Sequence, residues 1–240
     1  MYMMGNPKNL YGYEEGMYTL LNREYFNIAG ALHEALKEQD VKYAVVGGGG
    51  IQARIVDAVA KQGLKSIKDC KHILQTPLRS TTDIDIATSG GDGVKMFSAG
   101  QKISGSCGVG YNQMRDARAL KFEPVGKAPI YVQYELDKDN FQGLPEMYNS
   151  VIEEAEKLNL RYNGKHGIEL MVAQPKHLIA SKLTRWAPKD IVDTSNLLKI
   201  YHDCGKQIDI EDIRAILKGS NKGNLFERLE RICLDLGISK

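Results

Sequence analysis

The sequence predicts a mixed α/β N-terminal domain over residues 1–174, followed by a helical domain over residues 175–240. Three observations carry that expectation. A short apolar run, Val41 to Val46, stops at four glycines, Gly47 to Gly50, and the chain then turns helical. A second run, Thr82 to Thr88, alternates polar residues with isoleucines. From Pro175 onward the segments read as helices. Short β-branched runs and strict alternation mark strands, and apolar residues three and four apart mark helices.

The elements follow in order. Residues 1–21 are rich in Tyr, Met and Gly and show no period. Asn22 suits an N-cap, and Phe26, Ala29, Leu32 and Leu36 predict a helix over about 23–39 that Asp40 ends. After the strand at 41–46 the glycines form a turn. Ile51, Ile55, Val56 and Val59 then predict a helix to about Gln62, stopped by Gly63. The polar, basic stretch that Pro77 closes reads as an insertion at about 63–79. Residues 90–110 hold seven glycines and few large apolar groups, which predicts a mobile loop or a turn-rich meander. Arg118 to Phe122 and Pro129 to Leu136 predict two strands. Pro145 opens a helix to about Leu160, and Gly167 to Val172 is a further strand. Helices then open at Pro175 and Pro188, a third is capped by Asp209 and ended by Gly219, and the last runs from about Asn224 to Leu236.

Composition narrows the class. A 42% hydrophobic and 26% charged chain of 240 residues is an ordinary globular protein, and a net charge of +2 does not announce a nucleic-acid binder. The four cysteines form no CxxC pair, so zinc and disulfide frameworks are not expected. The histidines His33, His72, His166, His177 and His202 show no metal-ligand spacing. Met1 to Gly16 lacks an apolar signal core, and no run approaches the ~18 apolar residues of a membrane span. The expectation is a cytoplasmic protein without a membrane partner.

Two stretches carry chemistry. Glycines between a strand and a helix let the backbone approach an anion, and the helix presents free N–H groups and the positive end of its dipole. The spacing after Gly50 is neither a dinucleotide fingerprint nor a Walker A loop. Asp83 and Asp85 sit two apart on a predicted strand, hence on one face about 7 Å apart at the backbone. A divalent cation would relieve their repulsion, and magnesium readily bridges carboxylates and phosphates. The same pattern also fits a solvated edge strand with an acidic stripe.

Taken together, the glycines after a strand, the helix, and the T-x-D-I-D-I strand resemble the nucleotidyltransferase superfold shared by DNA polymerase beta and the minimal nucleotidyltransferases. Farther on, Lys182, Arg185, Lys189, Asp190 and Asp193 form a segment similar to that of the AbiE-type toxin-like nucleotidyltransferases. The resemblance covers about 41–50, 79–88 and 168–198. It departs from the family in the 34 residues between Gly48 and Asp83, and in having Gly48 where serine is common. It implies Gly47, Gly48 and Thr82 near the nucleotide phosphates, and Mg²⁺ (or Mn²⁺) on Asp83, Asp85 and a third carboxylate. Glu135 is the candidate for that third position, with Asp137 and Glu169 as alternatives. It also implies Lys182 beside the triphosphate, with Lys189 and Asp190 following. The implied activity moves an NMP from an NTP to an RNA end, a protein hydroxyl or a small molecule. A non-catalytic protein of this fold that binds a nucleotide or a partner stays open, as does a nucleotide-cofactor protein on a parallel Rossmann-like sheet. For individual residues, Glu135 also fits an outward strand position, Lys182 a snorkelling structural lysine, and Asp190 a helix first-turn acid.

Overall fold

A computed structural model describes residues 22–62, 81, 83–89, 93–114, 118–135, 144–161 and 167–238. The lead-in at 1–21, the insertion at 63–79, Thr82 and Asp137 lie outside the described residues.

The first helix, α1 (Arg23–Glu38), is followed by strand β1 (Lys42–Val45) and helix α2 (Gly47–Ala60). Next come β2 (Asp83–Ser89), α3 (Gly93–Cys107), β3 (Gly110–Met114), β4 (Ala119–Glu123) and β5 (Ile130–Glu135). A 3₁₀ turn at Pro145–Met147 leads into α4 (Tyr148–Glu153), then β6 (Glu156–Arg161) and β7 (Gly167–Val172). The C-terminal part is helical: α5 (Pro175–Arg185), α6 (Pro188–Asp203), α7 (Ile210–Gly219), a 3₁₀ turn at Gly223–Leu225, and α8 (Phe226–Leu236).

Among the described residues seven strands make one mixed sheet in the order β3-β4-β5-β2-β1-β7-β6. β1 runs antiparallel to β2 but parallel to β7, and β2 runs parallel to β5. The antiparallel β1–β2 pair sets this sheet apart from a Rossmann-like sheet, which would be parallel throughout. Alternation divides the side chains between two cores. Tyr43, Val45, Ile84 and Ile86 pack with α1 and α3 in one. Ala44, Val46 and Ala87 pack with α2, α4 and the C-terminal helices in the other. By the same alternation Asp83 and Asp85 project to the second side, under α2 and the C-terminal helices.

Three expectations need correction. Helix α2 begins at Gly47, not at Ile51, so the glycines are its first turn. A side chain at Gly50 would meet the Val45 carbonyl and Leu178 at 2.9 Å, so the close approach of the strand end and α5 requires glycine there. The glycine-rich stretch after β2 forms α3, where Met96, Ala99, Gly100 and Ile103 keep helical spacing and are buried. Gly100 is needed there because a Cβ would lie 2.4 Å from the Tyr111 ring. The helix predicted from Pro145 stops at Glu153. Leu158 and Leu160 then alternate inward on β6, which pairs with β7. Among the described residues no helix is long and apolar enough to cross a membrane.

Candidate active site

The site forms where β1 ends beside β2. The Val46 N–H donates to the Asp85 carbonyl at 2.8 Å, and the chain then enters α2 directly over the Asp85 side chain. Gly47 adopts φ +58°, and a Cβ there would lie 1.9 Å from Asp85 Oδ2. Only a glycine brings the first turn of a helix this close to a carboxylate. The first-turn N–H groups of α2 have no intrahelical acceptor and face the same end of the strand.

Asp83, at the start of β2, is held by its surroundings. The Thr81 hydroxyl donates to Asp83 Oδ1 at 2.7 Å, and the Tyr25 hydroxyl donates to the Asp83 carbonyl at 2.8 Å. Burial, and then the neighbouring Asp83 charge, push the Asp85 carboxyl up to about 7, against the pull of Lys182, Arg185 and Lys189. Two carboxylates on one face of a strand, one of them in a buried setting, are a donor set that fits a hard divalent cation.

Asp85 opens into a cavity of about 630 Å³. Its floor is Gly47, Asp85, Gln133 and Glu135; Gln133 is the register partner of Asp85 across the parallel β2–β5 pair. One wall is the end of α5, with Ser181, Lys182, Thr184 and Arg185. Another part of the lining is the turn between α7 and α8, with Asn221, Lys222, Asn224 and Leu225. Gly47, Asp85, Glu135 and Lys182, all singled out along the sequence, therefore line one cavity.

The charged residues differ in their engagements. Lys182 is buried, with Nζ 3.0 Å from Asp190 Oδ1 and 2.9 Å from Asp193 Oδ2. Arg185 grips the same Asp190 with two N–H donors, at 2.9 and 2.6 Å. Asp190 also accepts from the Ala187 N–H at 3.2 Å, so this carboxylate caps α6 as well. Burial works to raise the Asp190 proton affinity. The hydrogen bonds from Arg185 and Lys182 overcome it and hold the carboxyl well below the usual range. Lys189 is exposed on the first turn of α6, and Gly48 is buried in the first turn of α2.

Glu135 ends β5, and its carboxylate stands 3.8 Å from Arg118 Nη1. The Glu135 carbonyl is pinned by Thr88 Oγ1 at 3.0 Å and the Tyr148 hydroxyl at 3.1 Å. Glu169 faces Lys157 and His33 on the β6–β7 side and does not line the cavity. Among the described residues no three His, Cys, Asp or Glu side chains are grouped to hold a metal. The turn at 221–225 was not legible as part of the site. Its sequence, Asn-Lys-Gly-Asn-Leu, signals only a break between helices.

No protein-family model matches the sequence, and no curated protein matches it. Among solved structures the chain is similar to the solution structure of the antibiotic-resistance factor ANT(2'')-Ia. The TM-score is 0.43 and the identity 13%, over 86% of this chain and 95% of that one.

Proposed function

We propose that this chain is a metal-dependent nucleotidyltransferase that moves an NMP from an NTP to an acceptor hydroxyl or phosphate. The observation that carries the reading is the contact of Gly47 with Asp85: a glycine-started helix N-terminus stands over one of two alternating aspartates, at the floor of a nucleotide-sized cavity. In this reading the first-turn N–H groups at Gly47 and Gly48 bind phosphate oxygens. Asp83 and Asp85 would hold Mg²⁺ or Mn²⁺, with Glu135, which lines the same cavity but is not grouped with them in this structure, as the candidate third carboxylate. When bound, the metal supplies charge neutralisation at the reacting phosphate and acidifies the attacking hydroxyl. Arg185 and Lys182 with their aspartates shape the wall beside the phosphates, and Lys189 adds positive charge nearby. The same Lys182-to-Asp193 segment supports kinship with the AbiE-type enzymes. An RNA end, a protein hydroxyl and a small molecule are the acceptor classes to compare.

The test is incubation with Mg²⁺ and each α-labelled NTP, with total RNA or the protein itself as acceptor. Label transfer is expected from the wild type and is expected to fall by about a hundredfold or more in Asp83→Asn and Asp85→Asn. Transfer that survives both substitutions would overturn the metal assignment.

A second reading, a non-catalytic protein that binds a nucleotide or a partner, draws on one observation. Lys182 is already neutralised by two aspartates and Glu135 already faces Arg118. Nucleotide binding without transfer to any acceptor would favour it.

A further inference from the structure

Among the described residues three cations line the cavity: Lys182, Arg185 and Lys222. They are not equivalent. The Lys182 ammonium lies between two buried carboxylates, and the Arg185 guanidinium is bidentate on one of them. The two positive charges are thus matched by Asp190 and Asp193. Pulling either cation onto a substrate would strand a buried aspartate, a costly exchange. Lys222 makes no ion pair among the described residues and is exposed where it lines the cavity.

The turn that carries Lys222 is held in place. Asn221 takes φ +54°, the Asn221 N–H donates to the Lys218 carbonyl at 3.0 Å, and the Lys222 N–H donates to the Leu217 carbonyl at 2.7 Å. Two carbonyls are satisfied at the end of α7, which fixes the backbone of the turn, and Asn221, Lys222 and Asn224 are exposed on it. One turn into α8, the Arg228 guanidinium donates to the carbonyls of Leu183 and Thr184 and stands 5.2 Å from the Trp186 ring centroid. That contact registers α8 and its preceding turn against the end of α5, which carries Lys182 and Arg185.

We propose that the α7–α8 turn is a substrate-binding wall and that Lys222 is the cation that meets the outer phosphates of a nucleoside triphosphate, with the Asn221 and Asn224 amides beside it. The proposal rests on the transferase reading above and deepens it: the polyphosphate lies between the N-terminus of α2 at Gly47 and the turn at Lys222. Charge supports this placement. The floor is acidic through Asp85 and Glu135, and the α5 wall is internally neutralised. Among the described residues that line the cavity, the positive charge left unmatched for a polyanion is therefore on the turn, with Lys189 nearby outside the lining.

The experiment is a binding titration in Mg²⁺ of wild type, Lys222→Gln and Lys222→Arg, each with an NTP and with the matching nucleoside, at two salt concentrations. Lys222 is exposed, so neither substitution is expected to disturb the fold. Lys222→Gln is expected to weaken NTP binding about tenfold, to leave nucleoside binding unchanged, and to flatten the salt dependence. Lys222→Arg is expected to restore most of the NTP affinity. Equal NTP affinity in wild type and Lys222→Gln would overturn the proposal while leaving the transferase reading in place. Parallel loss of NTP and nucleoside binding would overturn it too, by assigning Lys222 to the nucleoside end. A wild type that binds no NTP under any condition would remove both.

Discussion

Gly47 concentrates several constraints in one residue. Its φ of +58° lies in the left-handed region, where a side chain costs about 1–2 kcal/mol before any contact is considered. The Cβ would also fall on the Asp85 carboxylate. Gly47→Ala is therefore expected to lower stability by at least about 1–2 kcal/mol and to displace Asp85 from the cavity floor. Thermal unfolding with and without Mg²⁺ separates the two effects. The variant should melt several degrees lower, and any stabilisation by Mg²⁺ seen in wild type should shrink. An unchanged Tm would show that the backbone relaxes away from the strained conformation. The candidate site was legible at this scale wherever a local pattern marked it: Asp83 and Asp85 by alternation, the glycines by their place after a strand. What Lys182 touches was not, because Asp190 and Asp193 reach it only after the chain has reversed through Trp186, which takes φ +54°, and begun a new helix.

Among the elements, α2 is tied to the sheet by one buried cation. Arg54 donates from Nε to the Ala173 carbonyl at 2.8 Å and from Nη2 to the Val172 carbonyl at 2.9 Å, and its third nitrogen meets Glu156 on β6. The carbonyls belong to the end of β7 and the step into α5, so the fork joins three elements at once. Arg54→Ala is expected to destabilise by about 2–4 kcal/mol, because it removes the donors that reach two buried carbonyls and the partner of a carboxylate. Arg54→Lys should recover only part of this, since an ammonium lacks the planar fork. Denaturant unfolding checks both, and a loss below about 1 kcal/mol for the alanine variant would refute the clamp. The elements themselves were legible where period and cap agreed: α1 from its apolar face, α7 from Asp209, whose carboxylate accepts from the N–H groups of Glu211 and Asp212, and α5 and α6 from their prolines. They were not legible where a tertiary contact dictated composition. The glycines of α3 obscure a regular buried face, and one of them exists to admit the Tyr111 ring. In β6 only Leu158 and Leu160 carry the alternation, too short a signal to end the helix predicted from Pro145.

For the molecule as a whole, the C-terminal helices share a core with α2 and one face of the sheet, so what destabilises their seam is felt in global stability. His177, buried on α5, sits in that seam. Its Nδ1 has no hydrogen-bond partner among the described residues, and its Nε2 lies 4.0 Å from the Glu154 carboxylate. Burial drives its proton affinity down to about 4, a shift that Glu154 and Asp212 oppose while Lys176 and Arg54 reinforce it. Above about pH 6.5 the ring is neutral in both folded and unfolded chains, and His177 adds no pH dependence. Between about 6.5 and 4 the unfolded chain takes up the proton and the folded chain does not, so stability falls as pH drops through that window. The loss amounts to a few kcal/mol at most, at about 1.4 kcal/mol per pH unit. Asp190 acts in the same direction but over a lower window: its lowered folded value contributes stability that is present above the ordinary carboxylate range and is lost as pH falls below about 4. The two windows do not overlap, so one substitution can isolate the histidine. His177→Gln, uncharged throughout, is expected to narrow the difference in unfolding free energy between pH 7 and pH 4.5 by about 1–3 kcal/mol relative to wild type. Urea denaturation at the two pH values measures it, and an unchanged difference would mean that the ring is protonated in the folded protein, with Glu154 as its counter-ion.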